Sequence, residues 1–567
     1  MSSRIVDTAD AMVSGGSDLV VLDGVGFGVA DVVRLADGDA RPVPGTDAMK
    51  RATESWDAAR QIAATGRVYG RSTGVGANRN EDVPTEAAAE HGLRLLRSHA
   101  GAIGDELPAR EVRAMLAVRA NQLLAGGAGL RPTVVTALCE ALESGVYPVV
   151  NEFGSVGTGD IAALAQVGLA LVGEHPWRGV GEAGEAGGAA SSGLSRNGVT
   201  EARARNGGAD PRAGAGVADA RARAGDTEAR ARAGVADARA RAGVPEPQPL
   251  DNNDALALIS SNALTLGQSA LALHELRGLI GATQVVGALS LIAVDGSHEP
   301  FAAPVHAARP HHGSTEVARR MRELIGAADR PTPPLGRIQD PYGFRCLPQI
   351  HGPAHDAADA LEAVLAIEIN AAAENPFISA EDMTAYHHGG FYQAQLVLAL
   401  DHFRLALTQV ARLSTSRLSS LNEPAFTRLK PFLADNEAAS SGVMILEYSA
   451  AAALGDLRAF SAPASLGHAV LSRGVEEQAS FASLAARQTL RACRAYRLVV
   501  GCELVAAVRA LRQRGLRPDP ELPVGRALEL AESVLVDETA DRPLTDDVTA
   551  AAGLLDRFTE IWRGSTS

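Results

Sequence analysis

With 567 residues, 46% of them hydrophobic, the chain can bury a large interior; its net charge of -14 excludes the basic stripe that a nucleic-acid surface requires. Only 4% is aromatic, and Ala and Leu dominate the periodic segments, so the sequence predicts a mainly α protein of close-packed helices. Cys139, Cys346, Cys493 and Cys502 lack metal-ligand spacing and read as buried small hydrophobes.

No signal peptide opens the chain, and no apolar run reaches the roughly 18 residues of a membrane span. The expectation is a cytoplasmic protein without a membrane partner. Residues 17–34 alternate apolar runs with Asp and Gly and read as a few short strands; helical periodicity starts near Asp47. Residues 67–78, RVYGRSTGVGAN, form a glycine-rich loop opened by Tyr69. A Tyr there is either a structural anchor or a group that closes over a substrate and moves a proton. Helices follow at 86–102 and 108–125, the first ending near His99, which reads as a helix-end cap or a site residue.

Residues 154–160 read GSVGTGD and run into an apolar helix. Glycines on both sides of Thr158 let this turn tighten until the Gly159 nitrogen approaches the Gly157 carbonyl carbon. Closing that five-membered ring and losing water from Thr158 would leave a conjugated exocyclic C=C, an electrophile that no ordinary side chain supplies. The alternative is a polar turn entering a helix, with Asp160 offsetting the helix dipole. A phosphate loop is excluded, because no Lys follows the glycines.

Residues 180–250 are a different polymer. GVADARARAG at 216–225 returns unchanged at 234–243, and TEARAR at 200–205 returns at 227–232. Large apolar residues are almost absent, so the segment cannot offset the entropy of ordering and reads as a low-complexity disordered insertion. It separates an N-terminal region, 1–175, from a helical bundle and C-terminal helical region, 251–567.

In that second half, 255–263 is an apolar helix carrying Ser260 and Asn262; 339–346 reads QDPYGFRC, 387–393 HHGGFYQ and 474–480 GVEEQAS. His387 and His388 have no third ligand at metal spacing, so no metal is expected. Arg345 has the two-pronged shape that grips a carboxylate, although a loop Arg is more often a surface ion pair. Glu476 can take a proton or hold an imidazole, and reads equally as part of a solvated helix face.

Tyr69 in its Tyr-Gly-x-x-Thr-Gly-x-Gly setting, Arg119-Ala120-Asn121 with Gly129-Leu130-Arg131-Pro132, and the Gly-Ser-Val-Gly loop before Asp160 together resemble the histidine ammonia-lyase and aromatic amino acid lyase family. The likeness covers about 47–175 and 251–500. It implies an elongated helical bundle, a homotetramer with active sites shared between subunits, and a small amino acid substrate. It also implies a methylidene-imidazolone group, which relatives build from Ala-Ser-Gly and which would here arise autocatalytically from Gly157-Thr158-Gly159.

The implied reaction is loss of ammonia from an aromatic L-amino acid, L-histidine to urocanate first; an aminomutase, or a catalytically impaired binding or assembly protein, is the alternative. In the roles implied, Tyr69 removes the β-proton, Arg345 holds the carboxylate, and Gln339 and Tyr342 orient the adduct with Ser260 or Asn262. His99, Phe391, Glu476 and Gln478 face the side chain. The chain departs from the family where its loop is one residue shorter with Thr158 for Ser, and at Ser260 and Gly390 for Asn and Tyr392 and Gln478 for His. A methylated ring, altered chemistry such as amine migration, or no ring are all compatible with that loop.

Overall fold

The computed structural model describes residues 18–179, 243–332 and 336–564. Strand β1 (Leu19–Leu22) pairs in parallel with β2 (Arg41–Pro44) across helix α1 (Val29–Asp37). Sequence alternation suggested several short strands over 17–34, but only the first part is extended. Val29, Val32, Val33 and Ala36 recur at helical spacing on one buried face, and the Asp31 carboxylate accepts the Gly28 amide at the helix start.

There follow α2 (Thr46–Thr65), α3 (Ala88–His99), β3 (Ile103–Glu106), α4 (Ala109–Leu124), α5 (Thr133–Ser144), β4 (Tyr147–Pro148), β5 (Asn151–Phe153), α6 (Ile161–Leu171) and β6 (Trp177–Arg178). The strands make two small antiparallel pairs, β3 with β5 and β4 with β6. Of the predicted insertion, 180–242 lies outside the described residues. Its last residues, 243–250, run along the body: the Gln248 amide donates to Leu171, and its side-chain oxygen accepts from Thr133.

The second half holds α7 (Ala255–Ile259), α8 (Ala263–Ala293), α9 (His312–Ile325), α10 (Tyr342–Arg345), α11 (Leu347–Glu368), a hairpin of β7 (Phe377–Ser379) and β8 (Thr384–Tyr386), α12 (Ala394–Leu421), α13 (Ile445–Phe460), α14 (Ala482–Arg514), α15 (Pro523–Val534) and α16 (Thr545–Arg563). Helix α8 is the axis, and α14, α4, α16, α11 and α12 pack around it. Small residues permit that approach: a Cβ at Gly267 would lie 2.9 Å from the backbone of Ala114 and Met115 on α4. One continuous apolar core runs from Val20 to Phe558, so the N-terminal region shares its interior with the bundle.

The span 255–293 is long and apolar enough to cross a bilayer, contrary to the expectation that no run reaches that length. Most of its side chains are buried by neighbouring helices, as in the centre of a folded bundle. Three of the four cysteines are buried and Cys346 is partly so, all as free thiols.

One charged pair inside the bundle is fully matched. Arg417 on α12 makes a two-pronged pair with Glu503 on α14, at 2.6 and 2.8 Å with both side chains fully buried, and Ser290 of α8 and Ser414 complete the carboxylate's partners. Beside this pair lies His351, fully buried, its imidazole held well below the ordinary value of 6.5 by burial and by Arg417. Burial also lowers His355, which stacks on Trp562, to about 4.

Both imidazoles stay neutral in the fold while the unfolded chain takes up protons below 6.5. Stability contributed by these groups is therefore complete above that value and falls as pH drops, by about 1.4 kcal/mol per pH unit for each. Urea titrations at about pH 7.5 and about pH 5.5 should give a lower midpoint at the acid value, and His351→Gln should reduce the difference between them.

Candidate active site

A cavity of about 630 Å³ opens where four segments meet: the loop holding Arg67, Tyr69 and Arg79, the turn at Thr158 and Gly159, the end of α7 at Ser260, and 475–478. Asn375, His387, Phe391 and Tyr392 complete the wall. Two of these segments, the Tyr69 loop and the end of α7, are braced by residues the sequence motifs contain. Arg71, buried, donates to the carbonyls of Ala128, Gly129 and Asn253 and ties the Tyr69 loop to the Gly129-Leu130 turn. Arg119 ties the end of α7 to Glu374 through the Leu258 carbonyl and a buried ion pair of 2.7 Å. Asn121 holds Gly24 and Asn370. The Arg119-Ala120-Asn121 motif is thus scaffolding for the cavity.

The Tyr69 hydroxyl accepts the Gly76 amide at 2.7 Å, and its ring meets His387 edge-on at 6.4 Å. Burial pushes the phenol above its ordinary value and the Glu476 charge adds to this, while the Gly76 hydrogen bond and Arg79 oppose it.

The turn is bound on every side. The Ser155 hydroxyl accepts the Gly157 amide and donates to the Gly159 carbonyl, both at 3.1 Å, folding the tripeptide around one oxygen. Val156 and Gly157 carbonyls accept from the Phe481 amide (2.8 Å) and the Ser480 hydroxyl (2.7 Å) at the start of α14, and the Ser155 carbonyl accepts from Ser483 (2.8 Å). Asp160 does not cap the helix it precedes. Its fully buried carboxylate accepts the Thr265 amide and hydroxyl at 2.8 and 2.9 Å at the start of α8; burial raises its carboxyl and these bonds pull it back.

Tyr69, Thr158, Gly159, Ser260, Phe391, Glu476 and Gln478 thus line one cavity, with Gly157 directly behind. Of the two candidates on the α7–α8 turn, Ser260 faces the cavity. Asn262 is buried behind it, donating to the Phe391 carbonyl at 2.8 Å. His99 sits at the end of α3, its Nδ1 against the Leu95 carbonyl at 2.8 Å, away from the cavity wall. Gln339, Tyr342 and Arg345 are also outside it. Gln339 is exposed, Tyr342 is 67% exposed, and the Arg345 guanidinium stacks 4.5 Å over the Tyr342 ring on α10.

Sequence reading missed Arg67, Arg79 and Asn375, and weighed His387 only as a metal ligand. Arg67 and Arg79 flank the Tyr69 loop, which was the available signal, whereas Asn375 and His387 reach the cavity only through the β7–β8 hairpin. Among the described residues no group of three or more His, Cys, Asp or Glu is placed to hold a metal ion.

A family model for aromatic amino acid lyases matches residues 27–206 and 213–533, wider than the stretches that the motifs suggested and running into the low-complexity segment. Histidine ammonia-lyase of Geobacillus kaustophilus is 32% identical over 505 residues, 87% of this chain and 89% of that protein. The enzyme of the same name from Anaeromyxobacter dehalogenans is 32% identical over 546 residues, 95% and 99% of the two chains. In fold the chain is similar to ergothionase from Treponema denticola (TM-score 0.81, 24% identity, 96% and 99% covered) and to histidine ammonia-lyase from Trypanosoma cruzi (TM-score 0.79, 24% identity, 97% and 96% covered). A cavity walled by the motif residues, in a chain matched over most of its length, makes this protein a carbon–nitrogen lyase of the aromatic amino acid lyase family.

Proposed function

We propose that the protein eliminates ammonia from an aromatic L-amino acid, L-histidine to urocanate first, at the cavity between Tyr69 and Thr158. The observation that carries this reading is the meeting of Tyr69, Thr158 and Glu476 in one cavity, in a chain 32% identical to histidine ammonia-lyases.

Residues 157–159 fit a backbone-derived imidazolone. The turn is wrapped around the Ser155 hydroxyl, Gly159 brings no Cβ to its nitrogen, and Thr158 faces the cavity with the hydroxyl to be lost. Thr in place of Ser leaves a methyl on the exocyclic carbon. Once formed, the group supplies an electrophilic carbon for the substrate amine, which makes a poor leaving group a better one.

The chain's own side chains do the rest. Tyr69 takes the β-proton as phenolate, its charge met by the Gly76 amide and Arg79. Glu476 accepts the imidazole N–H, with Gln478 beside it, and Phe391 covers the ring. Arg345 holds the carboxylate, with Gln339, Tyr342 and His99 completing the site, all delivered by neighbouring copies in a homotetramer. Exposed apolar side chains on three helices support such an assembly: Ile367 (70%) on α11, Leu398 (61%) on α12 and Tyr448 (66%) on α13.

Purified protein incubated with L-histidine should develop the urocanate absorbance, and Tyr69→Phe should lower the rate by about 100-fold or more; no product from the unsubstituted chain would overturn the histidine reading. Glu476 raises the Tyr69 phenol, and the rate depends on the phenolate, so Glu476→Gln should move the ascending limb of the kcat/KM profile to lower pH. Tyr69→Phe and Arg345→Ala chains, each strongly impaired alone, should regain part of the activity when co-expressed. Sites contained within one subunit would give none.

A further inference from the structure

We propose that Ser480 is the oxyanion donor that drives ring closure at residues 157–159, a role that rests on the reading of that turn given above. Ring closure begins when the Gly159 nitrogen attacks the Gly157 carbonyl carbon, which throws negative charge onto the Gly157 oxygen. That oxygen is the one the Ser480 hydroxyl already holds, at 2.7 Å in a site where Ser480 is 4% exposed. The Ser480 oxygen in turn accepts the Ala482 amide at 3.3 Å, so its single proton is committed to Gly157.

Three features aim this donor. Phe481 takes a left-handed conformation, φ +57°, uncommon for an aromatic residue, and this turns the Ser480 hydroxyl and the Phe481 amide back onto the loop. Ala482 opens a helix of 33 residues, whose N-terminal partial charge favours an anion at the Gly157 oxygen. At Gly157, φ +88°, a Cβ would fall 2.2 Å from the Ser480 oxygen, so only glycine leaves the hydroxyl its place.

The atoms balance without an oxidant or reductant. The Gly159 nitrogen bonds to the Gly157 carbon. The Gly157 oxygen leaves as water with the amide protons of Gly159 and Thr158, forming a C=N bond. The Thr158 hydroxyl then leaves as a second water with the α-proton, forming the exocyclic C=C. Ser480 is regenerated, having held the oxyanion and returned its proton.

The test is intact mass and peptide mass of the full-length chain, followed in time during cell-free synthesis. The unsubstituted chain should become lighter by two waters within the peptide that carries Thr158. Ser480→Ala should lose them about 100-fold more slowly, and Ser480→Thr, which keeps a hydroxyl, should recover the rate. Loss of both waters from Ser480→Ala at the unsubstituted rate would overturn the proposal while leaving the ring itself intact. An unchanged mass in the unsubstituted chain would instead overturn the ring, and this role with it. If circular dichroism shows that Ser480→Ala has lost its helices, Ser480→Cys carries the comparison: a weak thiol donor should slow the loss, and an unsubstituted rate refutes the role.

Discussion

The start of helix α14 grips the turn at residues 155–157 through three donors in succession, and the cavity depends on that contact. The Ser480 hydroxyl, the Phe481 amide and the Ser483 hydroxyl take the carbonyls of Gly157, Val156 and Ser155 in order. A glycine-rich turn left to itself samples many conformations. Here one is held, and Thr158 points into the cavity because its neighbours are pinned on the other side. The opposite end of the turn is anchored with equal care: the Asp160 carboxylate, fully buried, is matched by the first turn of α8. The two longest helices of the bundle, α8 and α14, thus both begin at this loop, and their packing along one another sets its position.

The polar residues of the interior divide into two kinds. Arg71, Arg119 and Arg417 are buried and spend their donors on carbonyls and carboxylates, so they are scaffolding despite their charge. Tyr69, Glu476 and His387 face open space. Arg417 also packs against Gly343 in the middle of α10, so the pair that ties α12 to α14 supports the exposed ledge carrying Tyr342 and Arg345. That ledge lies outside the cavity of its own chain.

Much of this was legible from local pattern. Ala- and Leu-rich periodicity marked the helices because burial on several faces favours small apolar residues, and the Tyr69 and Gly157 loops stood out because glycines cluster there. Where the pattern misled, a longer-range contact had decided. The helix at Val29–Asp37 and the core position of α8 are fixed by what packs on them. Ser260 and Asn262, two residues apart, were equivalent in sequence, and only the turn between α7 and α8 puts one at the cavity and the other behind it.

By itself, then, the sequence determined the helical class, the family and the glycine-rich loops that line the cavity, since these follow from residue type and short spacing. Only the tertiary structure decided which of those residues share a cavity, because His387 reaches Tyr69, and Glu476 reaches Thr158, across more than three hundred positions of chain. It also showed that Arg345 lies apart from them, for which side chains meet is settled by how the helices pack, and no local pattern records that packing.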